Sequence, residues 1–294
     1  MVANAVAALP KARPRRASRG LPYVLLSPGM LWLVIFFLVP MATLAALSLQ
    51  TGDYEQGFTL TWNWHIYSEM WTRYGDHFIR SFSYAFVATV TALAIAYPLA
   101  YAIAFKSGRW KNLLLVLVIA PFFTSFLVRT LAWQAILADN GWVTSTLRSL
   151  HFPMQDGRLL NTSFAVICSL TYNFLPFMVL PLYASLERID PRVVEAAGDL
   201  YARPITAFRR VTFPLSLPGV VAGTLLTFIP AAGDSVNATF LGSPQDQMVG
   251  NVVDKQFLVS NDYPIASALS MTMLVAILIL VSLYIRRAGT EEIV

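Results

Sequence analysis

Charge is what this sequence has least of. Lys, Arg, Asp and Glu make up 13% of its 294 residues, while 56% are hydrophobic. Soluble domains carry about 25% charged and roughly 45–50% apolar residues, so a soluble fold of this length would lack the polar surface to cover itself. Cysteine occurs once, as Cys168 inside an apolar run, which rules out an internal disulfide and any Cys/His cluster spaced for a metal. The three histidines, His65, His77 and His151, are scattered between apolar runs and read as surface or interfacial residues rather than a ligand set. None of the four lysines (Lys11, Lys106, Lys111, Lys255) stands in a Gly-x-x-x-x-Gly-Lys-Ser/Thr context, so the chain does not hydrolyse ATP itself. A net charge of +5 suits either nucleic acid or a membrane. Here the bases sit at the ends of apolar runs, which selects the membrane, and no nucleic-acid-binding module is evident.

What is present is a series of long apolar stretches. A membrane-spanning helix needs about 20 mostly apolar residues, and six segments qualify: 23–49, 82–105, 112–137, 162–186, 215–232 and 264–285. The runs are continuous rather than alternating, which predicts helices and not a β-barrel. The expected fold class is therefore all-α, a six-span polytopic membrane protein. It divides into a basic N-tail (1–22), a transmembrane domain (23–285) and a C-tail (286–294). The first run, about 27 residues long, exceeds the roughly 7–15 of a signal-peptide core and is read as a retained span. Fifteen Lys and Arg fall on one side of these spans and five on the other, with Arg129 inside the third. Cytoplasmic loops carry the basic excess, so both termini are expected in the cytoplasm. The opposite segments (50–80, 138–161 and 233–263) hold ten acids. They are long enough to be partly folded caps, and their net negative charge favours arrival of a cation.

One basic-side loop, 187–214, has a pattern of its own. Asp190 suits an N-cap and Pro191 the first helical position. Val193, Val194, Ala197, Leu200 and Tyr201 then fall at helical spacing on one side. A second short helix is predicted from Pro204, with Ile205, Phe208 and Val211 spaced by three and Pro214 ending it. Such an apolar stripe has to bury against something: the protein's own spans, the lipid interface, or a partner protein.

The loop resembles that of binding-protein-dependent permeases of the ABC importer class. That family carries Glu-Ala-Ala, three residues, Gly, nine residues, then Ile-x-Leu-Pro. Here Glu195-Ala196-Ala197 opens the pattern and Val211-Thr212-Phe213-Pro214 closes it at the same spacing. Tyr201 stands in the Gly position, so a turn of different shape is expected there, since Gly adopts a left-handed conformation cheaply and Tyr does not. The resemblance implies a coupling helix that enters a groove on a separate ATPase, with Glu195, Ala196, Ala197, Gly198, Leu200, Tyr201, Ile205 and Phe208 as the coupling residues. Glu195 would pair with a basic ATPase residue or cap a helix; the plainer alternative is a solvated surface acid. It also implies a homologous second permease forming a heterodimer, two ATPase subunits that bind the ATP and Mg, an extracytoplasmic binding protein, and alternating access as the mechanism. No cofactor is expected on this chain.

Further segments resemble the spermidine/putrescine branch of that family: Ala120-Pro-Phe-Phe-Thr-Ser-Phe-Leu-Val-Arg129-Thr-Leu-Ala-Trp133, Phe228-Ile-Pro-Ala-Ala-Gly-Asp234, Leu241-Gly-Ser-Pro244 and Asp262-Tyr-Pro-Ile-Ala-Ser267. A polyamine cargo is thereby implied. The candidate path residues are Asp234, Arg129, Trp133, Tyr172, Asn173 and Phe177. On a straight helix from Asn112, Arg129 lies about 26 Å along, near the outer end of the third span, at the level of Asp234. An Arg129–Asp234 salt bridge, a cation contact at Asp234, and solvent-facing positions with neither role all remain open. Intramembrane aromatics can face an organic cation or simply pack, and Asn173 can line a path or bond helix to helix. Pro176 and Pro181 are expected to kink the fourth span. An ion-gradient transporter would show paired mid-membrane charges and an internal repeat, and an intramembrane enzyme a His-Glu-x-x-His or Ser/His pair within spans. The sequence has neither. An importer of another organic cation, an amino acid or an oxyanion is the remaining alternative.

Overall fold

The computed structural model describes residues 21–150 and 157–288. Most of the two tails, together with His151 and Asp156, lies outside the described residues. The first span comprises α1 (Leu21–Leu33), a π-helical turn over Val34–Leu38, and α2 (Val39–Leu47). A hairpin follows, β1 (Gln50–Asp53) antiparallel to β2 (Gly57–Leu60), with Thr51 opposite Thr59. Then come α3 (His65–Phe105), α4 (Lys111–Ile119), α5 (Phe126–Leu137), α6 (Trp142–Ser149) and α7 (Ser163–Glu187). The predicted loop holds α8 (Pro191–Asp199), α9 (Pro204–Ala207), a π-helical turn over Phe208–Thr212, and α10 (Phe213–Leu215). The chain ends with α11 (Leu217–Ala232), α12 (Val236–Leu241), α13 (Val249–Leu258) and α14 (Tyr263–Ala288).

Four helices are long and apolar enough to cross a membrane, and two bent pairs bring the total to six if each pair is one span. The six-span expectation holds in that form, with three corrections. The helix of the second span begins well before residue 82: α3 starts at His65 and has 41 residues, ~61 Å of helix against a hydrocarbon core of ~30 Å. His65 and His77 therefore belong to a spanning helix, on its polar N-terminal extension, and no group of metal-ligating residues occurs among the described residues. The third span is not one straight helix. The Gly108–Phe123 and Phe126–Leu137 segments meet at 93°, because Thr124 and Ser125 are extended (ψ 151° and 139°). Arg129 lies beyond that break, so counting its depth along a straight helix fails. Pro214 does not end the second loop helix either. Helix resumes through Leu215, and the chain turns at Ser216, giving a 64° bend before α11. Pro214 and Pro218 flank that bend, where each lacks a backbone N–H. Pro176 and Pro181 sit within an uninterrupted α7.

The bundle centres on α3, α7 and α11. In lipid the spans gain little from hydrophobic association, and close packing of small residues replaces it. On α3 the residues at a three-to-four spacing are Ala85, Ala88, Ala92, Ala96 and Ala100, all fully buried. They face α7, whose Met178, Val179, Leu182 and Leu186 are buried equally. On α11, Gly219 and Gly223 are one turn apart and touch the same helix. A Cβ at Gly219 would meet the Pro181 carbonyl oxygen at 2.7 Å, and one at Gly223 would meet Met178 Sδ at 2.8 Å.

A polar node fastens the hairpin end of the bundle. The Asp246 carboxylate accepts hydrogen bonds from Tyr84 on α3 (2.7 Å), from Ser163 at the start of α7 (2.7 Å), and from the Ser243 backbone and hydroxyl. Arg80 donates to the neighbouring Gln247 carbonyl at 2.9 Å. Burial pushes the Asp246 carboxyl up, but the donors, with Ser243 first, outweigh it and hold the group below the ordinary aspartate range.

Two outcomes follow from this packing. Gly219→Ala drives its methyl into backbone and lowers stability by ~1–3 kcal/mol, whereas Gly223→Ala costs less because the flexible end of Met178 yields; thermal unfolding in detergent ranks the two. Asp246→Asn loses ~1–3 kcal/mol at neutral pH. Because the folded carboxyl lies below its unfolded value, wild type keeps that contribution above about pH 4 and loses it on further acidification. The gap between wild type and Asp246→Asn is constant from about pH 5 to 8 and closes below about pH 4.

Candidate functional site

Two regions carry the residues singled out from the sequence. The first lies within the bundle, where α5, α7 and the turn from α11 to α12 converge. Asn237, on α12, is fully buried, and its Oδ1 accepts from Ser169 Oγ (2.6 Å), Asn173 Nδ2 (3.0 Å) and Thr130 Oγ1 (3.2 Å). Its backbone N–H and side-chain amide donate to the two Asp234 carboxylate oxygens at 2.8 and 3.1 Å. Asn173 and Asp234 are therefore joined through a residue that sequence reasoning passed over. A lone amide in the apolar stretch 228–241 was the available signal. The network accounts for Asn173 as a helix-to-helix tie. It also leaves Asp234 buried and hydrogen-bonded, at 8% exposure, rather than open to solvent. The turn itself is clamped from α13: Asn251 Nδ2 donates to the Ser235 carbonyl at 2.7 Å, and Gly250 packs where a Cβ would lie 2.7 Å from the Gly233 oxygen.

Arg129 and Asp234 do not form an ion pair: the salt bridges among the described residues are Lys111–Glu187 and Arg158–Asp139. The Arg129 guanidinium instead sits over the rings of Phe122 (5.4 Å) and Phe126 (5.6 Å). The other aromatic candidates gather around it. Trp133 meets Tyr172 edge-on at 5.6 Å, Phe177 meets Phe122 edge-on at 5.1 Å, and Phe174 bridges Phe126 and Phe177. Arg129 and Tyr172 line a cavity of ≈ 290 Å³ whose other walls are mainly aliphatic, including Leu99, Leu117, Val118 and Leu175. Of the six path candidates, Arg129, Trp133, Tyr172 and Phe177 thus share one cluster, and Asn173 and Asp234 share the adjacent polar network.

The second region is the loop between α7 and α11. Asp190 caps α8 as the sequence predicts, accepting from the Arg192 N–H at 3.0 Å. Helix α8 ends with Tyr201 N–H on the Gly198 carbonyl (2.9 Å) and Ala202 N–H on the Ala197 carbonyl (3.1 Å), the paired bonds of a Schellman motif. Its left-handed residue is Tyr201, at φ 59°. The expected change of turn shape is therefore absent: Tyr201 adopts the glycine-type conformation, at a cost of about 1–2 kcal/mol.

The predicted single stripe of α8 splits in two. Val194 packs against the core of the loop end, while Val193, Leu200 and Tyr201 stay exposed, Tyr201 at 98%. Ile205 is also exposed. Glu195, Ala196 and Gly198 face outward and Ala197 is half-buried. Phe208 differs from its companions. It turns inward onto Tyr97 (5.5 Å) and Tyr101 (6.3 Å) of α3, and Tyr97 hydrogen-bonds Ser216 at the bend before α11 (2.7 Å). Phe208 ties the loop to the bundle and does not lie on the exposed face.

Comparison with known proteins agrees with this architecture. Residues 66–288 match the family described as binding-protein-dependent transport system inner membrane component. The chain is 36% identical over 256 residues to the spermidine/putrescine transport system permease protein PotB of Haemophilus influenzae, covering 87% of this chain and 90% of that one. It is 31% identical over 229 residues to the inner membrane ABC transporter permease protein YdcU of Escherichia coli, covering 74% and 72%. Among solved structures, a bacterial alginate ABC transporter in complex with alginate pentasaccharide-bound periplasmic protein superposes with a TM-score of 0.67 at 19% identity, covering 90% and 92%. At that identity the likeness speaks for the fold alone.

Asn237→Leu strips the Asp234, Asn173 and Ser169 groups of their shared partner and lowers stability by at least ~2 kcal/mol, whereas Thr130→Val removes one donor of three and costs ~1 kcal/mol. Thermal unfolding of the purified variants in one detergent gives the order.

Proposed function

The chain belongs to the family of inner-membrane components of binding-protein-dependent transport systems, and on that premise we propose that it is one permease subunit of an ATP-driven polyamine importer. It forms half of the translocation path beside a second, homologous permease. Two ATPase subunits bind ATP and Mg, and an extracytoplasmic binding protein delivers the solute. Both termini and the 187–214 loop lie in the cytoplasm, the side that carries the basic excess. The 36% identity to a spermidine/putrescine permease over 87% of the chain supports the cargo. An acidic balance at the opposite end of the bundle agrees with a polycation.

The observation that carries the coupling role is the two-sided loop. One side, through Val194 and Phe208, is packed onto α3 and its neighbours. The other offers Val193, Leu200, Tyr201 and Ile205 to solvent beside the exposed Glu195. An ATPase groove that receives this face moves it, and Phe208 with the Tyr97–Ser216 contact passes the displacement to α3 and α11. Solute is then released by a shift between two states that the subunits and the nucleotide favour differently. The chain has no catalytic residues in this reading.

The test is reconstitution of the complete importer in liposomes, with ATP hydrolysis and uptake followed as the binding protein is loaded with candidate solutes. Spermidine or putrescine is expected to stimulate both; stimulation by another solute alone would sink the cargo assignment. Glu195→Lys uncouples hydrolysis from uptake or releases the ATPase. Tyr201→Gly and Tyr201→Ala both reduce stimulated hydrolysis about tenfold, but Tyr201→Gly is the more stable by ~1 kcal/mol because it relieves the backbone. Wild-type coupling in Tyr201→Gly would show that the ring has no docking role.

A further inference from the structure

Arg129 is a buried charge without an anion. It is 8% exposed, its Nε has no acceptor, and the guanidinium makes no hydrogen bond or ion pair among the described residues. The guanidinium carbon lies over two phenyl rings, and rings do not replace acceptors for the five N–H donors of the fork. An ionised group at membrane depth is retained where it is paired or faces a cavity. Arg129 lines the ≈ 290 Å³ cavity, whose other polar side chain is that of Tyr172. Asp234, the acid that the sequence placed at the same level, is already occupied by Asn237.

We propose that this cavity receives a carboxylate side chain from the second permease subunit, which pairs with the Arg129 guanidinium across the interface between the two subunits. The proposal rests on the permease-pair reading above. Depth selects the occupant. Tyr172 is ~14 Å from the Ser163 end of α7 and ~22 Å from the Glu187 end. With α7 centred on a hydrocarbon core of ~30 Å, Tyr172 lies ~10 Å inside the nearer boundary, deeper than a lipid phosphate sits. A polyamine is a cation and is repelled by the guanidinium. A carboxylate on a neighbouring apolar helix fits: it accepts two parallel N–H bonds from the fork and is itself tolerated in the bilayer only when paired. Phe123 is 88% exposed and Leu117, Leu127 and Val128 are also exposed, so no described part of this chain blocks a neighbouring helix from lying against that side.

The experiment uses the complete importer in proteoliposomes and whichever solute stimulates the wild type. The probe is a charge swap. Arg129→Glu is expected to lower stimulated uptake at least tenfold. Each Asp or Glu within the apolar spans of the second permease is then changed to Arg, one at a time, in that background. Recovery of at least fivefold at one position supports the pairing. Recovery at no position overturns it. Where Arg129→Glu fails to yield monodisperse chain, Arg129→Gln is combined with Asp→Asn or Glu→Gln in the second subunit. A double variant no worse than the poorer single supports the pair, and multiplying losses overturn it. Because the swap is read with any active solute, failure of the polyamine assignment shows separately, as a wild type that responds to a different cargo.

Discussion

The approach of α11 to α7 at Gly219 and Gly223 fixes where most functional groups of this chain can stand. With no water to drive helices together inside a bilayer, contact distance has to come from side-chain size. The alanine ridge of α3 presses on the same helix from another side. Once α7 is held between them, Ser169 and Asn173 project at a set level toward Asn237, and Tyr172 is set beside Arg129. The bend at Ser216 begins just below the first of these glycines, so the loop is aimed by the same contact that seats the span.

Two of the departures from straight helices occur where polar groups are needed. The extended pair Thr124–Ser125 lets α5 turn away from α4 and bring Thr130 to the buried amide. The turn after Ala232 frees the Asn237 backbone N–H to bond Asp234. Irregular backbone at membrane depth survives only when its polar groups are paired inside the protein, and here Asn237 serves three donors on two helices and a carboxylate at once. The hairpin-end node at Asp246 works in the same way, drawing donors from α3, α7 and its own loop.

Much of this was legible in the residues. The six apolar runs marked the spans, and Asp190-Pro191 with Glu195-Ala196-Ala197 marked the loop and its first helix. The bends were not legible, because hydropathy summed along a run is insensitive to two residues of extended backbone. Arg129 lies past one of these bends, so a count along a straight helix does not give its depth. The N-terminal extension of α3 was missed because His65 to Ser81 mixes polar residues with apolar ones, and tertiary packing rather than composition keeps it helical. Phe208 matched the spacing of the exposed face, yet spacing does not say which way a short π-helical turn rotates a side chain. Asn237 was discoverable, as a single amide amid apolar neighbours, but only its partners show that it is the centre of a network.

Tyr201 carries a backbone that glycine would adopt more cheaply and a ring that touches almost nothing of its own chain. Such a residue is a net cost to the isolated subunit. Nothing among the described residues offsets that cost; in the docking reading proposed above, a surface that closes over the ring does. On that proposal the loop is one half of a joint, and the strained backbone at its tip is compensated only in the assembled whole.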